Sequence, residues 1–155
     1  MGDDAEAIRQ LLYRYAEHID AADFAAVGAL FAHGAIRAPG MKEPASGAEA
    51  VERLYRSSNR IHEDGTLRTL HLVVNPIVEV DTAAGTAAAR SRYVVLQATA
   101  RVPLQPIIAG RYRDRFARGP EGWRFTERVI EIDLVGDLSD HLRFDLAPVL
   151  DRASS

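Results

Sequence analysis

Cysteine is absent from the 155 residues, which removes disulfides, thiolate metal sites and cysteine nucleophiles together and fits a reducing compartment. Long apolar runs are absent too, none approaching the roughly 18 residues that a membrane-spanning helix needs. The acidic N-terminus (Asp3, Asp4, Glu6) lacks the basic and apolar regions of a signal peptide. Neither sign of charge dominates: 19 Lys and Arg against 22 Asp and Glu leave −3, with no basic cluster to mark a nucleic-acid or membrane surface. There is no Gly-rich phosphate loop, no G-x-S-x-G elbow and no dinucleotide fingerprint. His18, His33, His62 and His141 fall at polar or loop positions, and their spacing is not that of a zinc site. The expectation is a soluble, cytoplasmic protein that needs no cofactor or metal and binds neither nucleic acid nor membrane.

What is present is a globular balance, 47% hydrophobic and 26% charged, in a length that one core can serve. Ile8, Leu11, Leu12, Tyr15, Ala16 and Ile19 keep helical spacing behind a cap at Asp3 or Asp4. Asp20 then falls where a carboxylate opposes the helix dipole; with Asp23 it would cap a second helix, Ala22 to about Phe31. Ala35-Ile36-Arg37 reads as a short strand, and Pro39 to Pro44 as a loop. Ser46-Gly47-Ala48-Glu49 matches a capping box for a third helix ending near Ser58. From Thr66 the pattern becomes strands and turns: Arg68–Val80, Thr86–Ala100, Ile107–Arg118 and Gly122–Leu134. Val102 to Pro106 interrupts them as a loop, because each proline lacks a ladder donor. Three helices followed by an antiparallel meander predict an α+β fold in a single domain, residues 1–155, with 136–155 as a tail or flap. Helices on the concave face of a curled sheet enclose a cone, and such long strands need bulges to bend.

The first long strand carries the chemistry. Strict alternation puts Thr69, His71, Val73 and Asn75 on one face and Leu70, Leu72, Val74 and Pro76 on the other. Tyr15, Asp20, His71, Asn75, Tyr93, Tyr112 and Arg128 are the polar groups that could meet inside a cone. An imidazole, with an ordinary pKa near 6.5, suits proton transfer at neutral pH. A carboxylate on one ring nitrogen would make the other a general base, and a phenol such as Tyr15 could hold a developing oxyanion. Arg128 and Trp123 have opposite parity, so both face inward only if a bulge intervenes. In Arg111-Tyr112-Arg113-Asp114-Arg115 the arginines are assigned to the outer face. An apolar outer sheet surface (Val74, Val78, Tyr93, Val95 or their neighbours, by parity) predicts a homo-oligomer, dimer or trimer.

Tyr15-Ala16-Glu17-His18-Ile19-Asp20-Ala21-Ala22-Asp23-Phe24, Leu30-Phe31, Thr66-Leu67-Arg68-Thr69-Leu70-His71, Asn75 and Gly122-Trp123-Arg124-Phe125 with Arg128 together resemble the SnoaL-like branch of the nuclear transport factor 2-like (NTF2-like) superfamily. Scytalone dehydratase, bile acid 7α-dehydratase and the hexachlorocyclohexane dehydrochlorinase are relatives in that superfamily. The resemblance implies a cone-shaped domain in which Asp20 orients His71, His71 acts as base or acid, and Tyr15 polarises a substrate oxygen. Asn75, Tyr93, Tyr112 and Arg128 would contact substrate. The implied activity is a cofactor-independent lyase of dehydratase type, or an isomerase, acting on a small hydrophobic cyclic substrate, steroid-like or polyketide-like. One departure is that the strand Arg92 to Ala98 has no further carboxylate or histidine, Gln97 being the nearest candidate. The alternative is a non-catalytic binding or oligomeric subunit of the same fold, like dioxygenase β subunits.

Overall fold

Asp3 opens the first helix of the computed structural model, which describes residues 3–153, by accepting hydrogen bonds from the amides of Ala5 and Glu6. That helix, α1 (Asp4–Asp20), buries Ile8, Leu12, Tyr15, Ala16 and Ile19. Each large apolar side chain so removed from water is worth about 1.5–3 kcal/mol. A tight turn through Ala22, whose φ is +55°, leads into α2 (Phe24–Leu30). Asp23 alone caps α2, accepting from the Ala26 amide at 3.1 Å. Asp20 is thereby left for another task.

Strands β1 (Ala35–Arg37) and β2 (Ala45–Ser46) follow, then α3 (Ala48–Ser58). The expected capping box does not form. Ser46 is drawn into β2 opposite Ala35, and Gly47 becomes the cap residue at φ +87° without a side-chain bond. A left-handed turn of that kind suits glycine.

The meander is β3 (Thr69–Asp81), β4 (Thr86–Gln97), β5 (Gln105–Gly119) and β6 (Gly122–Val135). They form one six-stranded sheet in the order β2-β1-β6-β5-β4-β3, antiparallel except where β1 runs parallel to β6. Register shifts at Val74/Ile77, Val95/Leu96, Ala109/Gly110 and Arg115/Phe116 are the bulges that such long strands need in order to curl. The curled sheet and helices make the α+β cone expected. Pro76 lies inside β3, which tolerates it because β3 is an edge strand. A final helix, α4 (Ala147–Ala153), ends the described chain.

The bulges also decide which residues face inward. Tyr93 and Val95 are buried, whereas Leu70, Leu72 and Ile77 show 52%, 38% and 49% exposure. The apolar outer surface is therefore made by those three residues rather than by Tyr93 and Val95. Among the described residues no helix is long and apolar enough to cross a membrane.

Candidate active site

Asp20, at the C-terminal end of α1, points at the edge of β3 and serves three donors there. Its carboxylate accepts from the Thr69 hydroxyl at 2.8 Å, the His71 amide at 2.9 Å and the His71 ring Nδ1 at 2.6 Å. With Nδ1–H donated to the carboxylate, the lone pair of His71 resides on Nε2, the arrangement a general base requires. Both side chains are largely covered, 9% exposed for His71 and 18% for Asp20.

His71 forms part of the wall of a cavity of about 190 Å³ inside the cone. Most of that wall is apolar, with Ile19, Leu54, Val95, Ile108, Ile130 and Ile132 contributing. Besides His71, its polar groups come from Tyr15, Tyr55, Tyr93, Tyr112, Ser58, Asn59 and His141, so four of the five tyrosines of the chain meet here. The hydroxyls of Tyr15 and Tyr55 share a very short hydrogen bond. Burial raises the pKa of both phenols, with the charge of Arg128 opposing it; they remain protonated donors. Tyr93 stacks on Tyr112 with centroids 4.4 Å apart and donates its hydroxyl to the Glu131 carbonyl at 2.9 Å. Gly110 makes this contact possible, since a β-carbon there would sit 1.9 Å from the Glu131 oxygen and 2.7 Å from the Tyr93 hydroxyl.

Two residues expected at the substrate lie elsewhere. Asn75, at φ +52°, is the extra residue of the β3 bulge; the bulge turns it away from the His71 face, and it borders an outer cleft with Ile77 and Arg90. Arg128 does face inward, because the bulge near Thr126 reverses parity after Phe125. Its guanidinium is nevertheless sealed off. It is fully buried, bonded to both oxygens of Asp114 at 2.8 and 2.9 Å. Above it, the rings of Tyr15 and Tyr112 lie 4.2 and 3.7 Å from the guanidinium carbon. Burial disfavours its charge, but Asp114 and the phenols outweigh this and raise its pKa. Gln97 does not line the cavity either; its amide donates to the Leu67 carbonyl at 3.0 Å.

The structure adds Tyr55 and His141 to the site. Tyr55 looked like one more member of the apolar stripe of α3, and nothing in a helical period marks a hydroxyl. His141 lies in a tail without periodicity, and the sequence set it only among the histidines at polar or loop positions. Among the described residues no three His, Asp or Glu side chains gather as metal ligands.

No curated protein matches the sequence. Among solved structures, the chain is similar to an NTF2-like protein with a cystatin-like fold from Novosphingobium aromaticivorans: 27% identity, TM-score 0.71, covering 83% of this chain and 81% of that one. It is also similar to Rv3472 of Mycobacterium tuberculosis, a protein of unknown function, at 27% identity and TM-score 0.65, with 85% and 78% covered. A scytalone dehydratase-like protein from Novosphingobium aromaticivorans shares the fold at 20% identity and TM-score 0.66, with 85% of each chain covered. The model of the SnoaL-like domain matches residues 2–129, and with that match the chain belongs to the SnoaL-like domain family.

Proposed function

We propose that this protein is a cofactor-independent lyase of dehydratase type, or an isomerase using the same first step, acting on a hydrophobic cyclic ketone of steroid or polyketide character. The observation that carries this reading is the 2.6 Å contact of Asp20 with His71 Nδ1 on the wall of an apolar cavity that also holds the Tyr15–Tyr55 phenol pair. His71 Nε2 takes a proton from the carbon next to the carbonyl, and Asp20 balances the imidazolium that forms. The electron pair moves onto the carbonyl oxygen, where the Tyr15–Tyr55 pair donates to the enolate the one O–H left free by their mutual hydrogen bond. In the elimination the enolate re-forms its carbonyl, a carbon–carbon double bond is made, and the β-hydroxyl leaves with the proton from His71 as water. In the isomerisation the same proton returns to a different carbon of the conjugated enolate.

A bicyclic β-hydroxyketone, 3-hydroxy-1-tetralone, tests this, because its loss of water yields 1-naphthol, which absorbs and fluoresces distinctly. The expected result is conversion well above the uncatalysed rate, abolished in His71→Ala and in Asp20→Ala while circular dichroism stays native. Wild-type rates in either variant would sink the dyad. Saturable binding without turnover of this compound or of β,γ-unsaturated cyclic ketones would favour a binding protein. Homo-oligomerisation through Leu70, Leu72 and Ile77 belongs to the same proposal. Light scattering should show a dimer or trimer that Leu70→Glu disrupts.

A further inference from the structure

Part of the cavity wall comes from a segment beyond the residues matched by the family model. Residues 138–146 follow β6 and contribute His141, Leu142, Phe144 and Leu146 to the wall. Hydrogen bonds pin this segment from both sides. The Arg60 amide donates to the His141 carbonyl at 2.8 Å and the Arg143 amide to the Ser58 carbonyl at 2.9 Å. Asp140 accepts from the Thr99 hydroxyl at 2.7 Å, and its carbonyl lies 2.8 Å from the His62 ring. His141 is therefore held in place by its backbone and its neighbours.

Its side chain is not. The residue is only 6% exposed, yet its Nδ1 is buried with no hydrogen-bond partner among the described residues. Native proteins rarely leave a buried polar atom unpaired without a reason, and ligand sites are one such reason. With Nδ1 enclosed by protein, Nε2 is the ring nitrogen that remains for a partner in the cavity that His141 lines. A nitrogen with no donor to meet is better left as a lone pair than as an unmet N–H. The ring proton then sits on Nε2, as a donor available to an occupant of the cavity. The centroid of this ring is 6.3 Å from that of His71. Two hydrogen bonds of about 2.8 Å to one oxygen span up to about 5.6 Å between nitrogens, a span comparable to the separation of the two rings.

We propose that His141 is the specificity residue of this site, donating a hydrogen bond from Nε2 to a hydroxyl carried by the cyclic substrate, so that hydroxylated rings are selected over their deoxy counterparts. Burial, with the neighbouring His71 and His62 rings, brings the pKa of His141 down to about 3 against a smaller opposing pull from Asp20. The ring is therefore neutral at ordinary pH and contributes a hydrogen bond rather than a charge. The reaction proposed above supplies an identity for this hydroxyl, the one that leaves; the recognition itself does not depend on turnover.

The test uses a matched pair without a carbonyl, 2-tetralol and tetralin, neither of which can form an enolate. Calorimetry on wild type is expected to show 2-tetralol binding about three- to tenfold tighter, the range of one net neutral hydrogen bond. His141→Phe should lose or invert that ratio while keeping its affinity for tetralin, which doubles as the check on folding; His141→Gln should retain part of it. In ¹⁵N spectra of the wild-type protein, the His141 ring signals should move on adding 2-tetralol and stay put with tetralin. This readout stands even if His141→Phe does not fold. An unchanged ratio in His141→Phe, unmoved ring signals, or no saturable binding of either probe to wild type would overturn the assignment. A wild type that shows the ratio but converts no hydroxyketone overturns the reaction and leaves His141 as assigned.

Discussion

Two carboxylates on the inner side of the cone each hold a basic group, and they have opposite fates. Asp20 grips His71 at a cavity wall; Asp114 grips Arg128 behind two tyrosine rings. The first pair joins a group that can exchange a proton to a space that can admit a substrate. The second joins a group that keeps its proton to a place no substrate reaches. The Arg128 charge still acts on the site, through the rings above it, by opposing the rise in the Tyr15 pKa that burial imposes. Access, more than the presence of a buried charge, separates the candidate reacting pair from a supporting one.

Disabling the open pair should have the largest effect. His71→Gln is expected to lower turnover of a β-hydroxyketone by about 10²–10⁴-fold, the usual contribution of a positioned base, with a melting temperature within a few degrees of wild type. Breaking the sealed pair should do the converse. Arg128→Met strands the Asp114 charge in the core and should cost about 3–5 kcal/mol in urea unfolding. The double variant Arg128→Met with Asp114→Leu should recover most of that, and failure to recover would mean that the pair supports the fold by more than its own compensation. Removing one phenol lies between these cases. Tyr55→Phe should reduce turnover by about 10²-fold, near the lower end for loss of an oxyanion donor, with KM little changed.

The last effect is on the pH dependence of stability. Native His141 stays neutral down to about 3, whereas the same ring in the unfolded chain takes a proton below about 6.5. Between those values the unfolded state binds more protons, so stability falls as the pH falls, by up to about 1.4 kcal/mol per pH unit from this group. The titratable groups that face His141 are Asp20, His71 and His62. The comparison is therefore the difference between wild type and His141→Phe, whose urea-unfolding profile should be flatter across that window.

The open pair was legible in the sequence because both members broke a local rule. Asp20 opposed the dipole of its own helix, and His71 stood alone among aliphatic residues of a strand. The rest of the site depended on events that alternation does not encode. One extra residue in β3 turned Asn75 outward, and another near Thr126 turned Arg128 inward, so strict parity misplaced the first and left the second undecided. Tyr55 and His141 are site residues only because α3 and the tail fold over the same cavity, a tertiary fact without local trace. The Ser46 box failed because pairing with Ala35 outbid a capping bond.

Asp20 has a second consequence. β3 is the open margin of the sheet, where bare amide donors invite strands of other molecules to add on. The His71 amide is one such donor, and Asp20 occupies it together with the Thr69 hydroxyl, a few residues before Pro76, which has no amide hydrogen to offer. The same carboxylate that holds the His71 ring thus also covers an edge amide to which a further strand could pair. Asp20→Asn, which keeps an acceptor, separates these two duties where Asp20→Ala removes both.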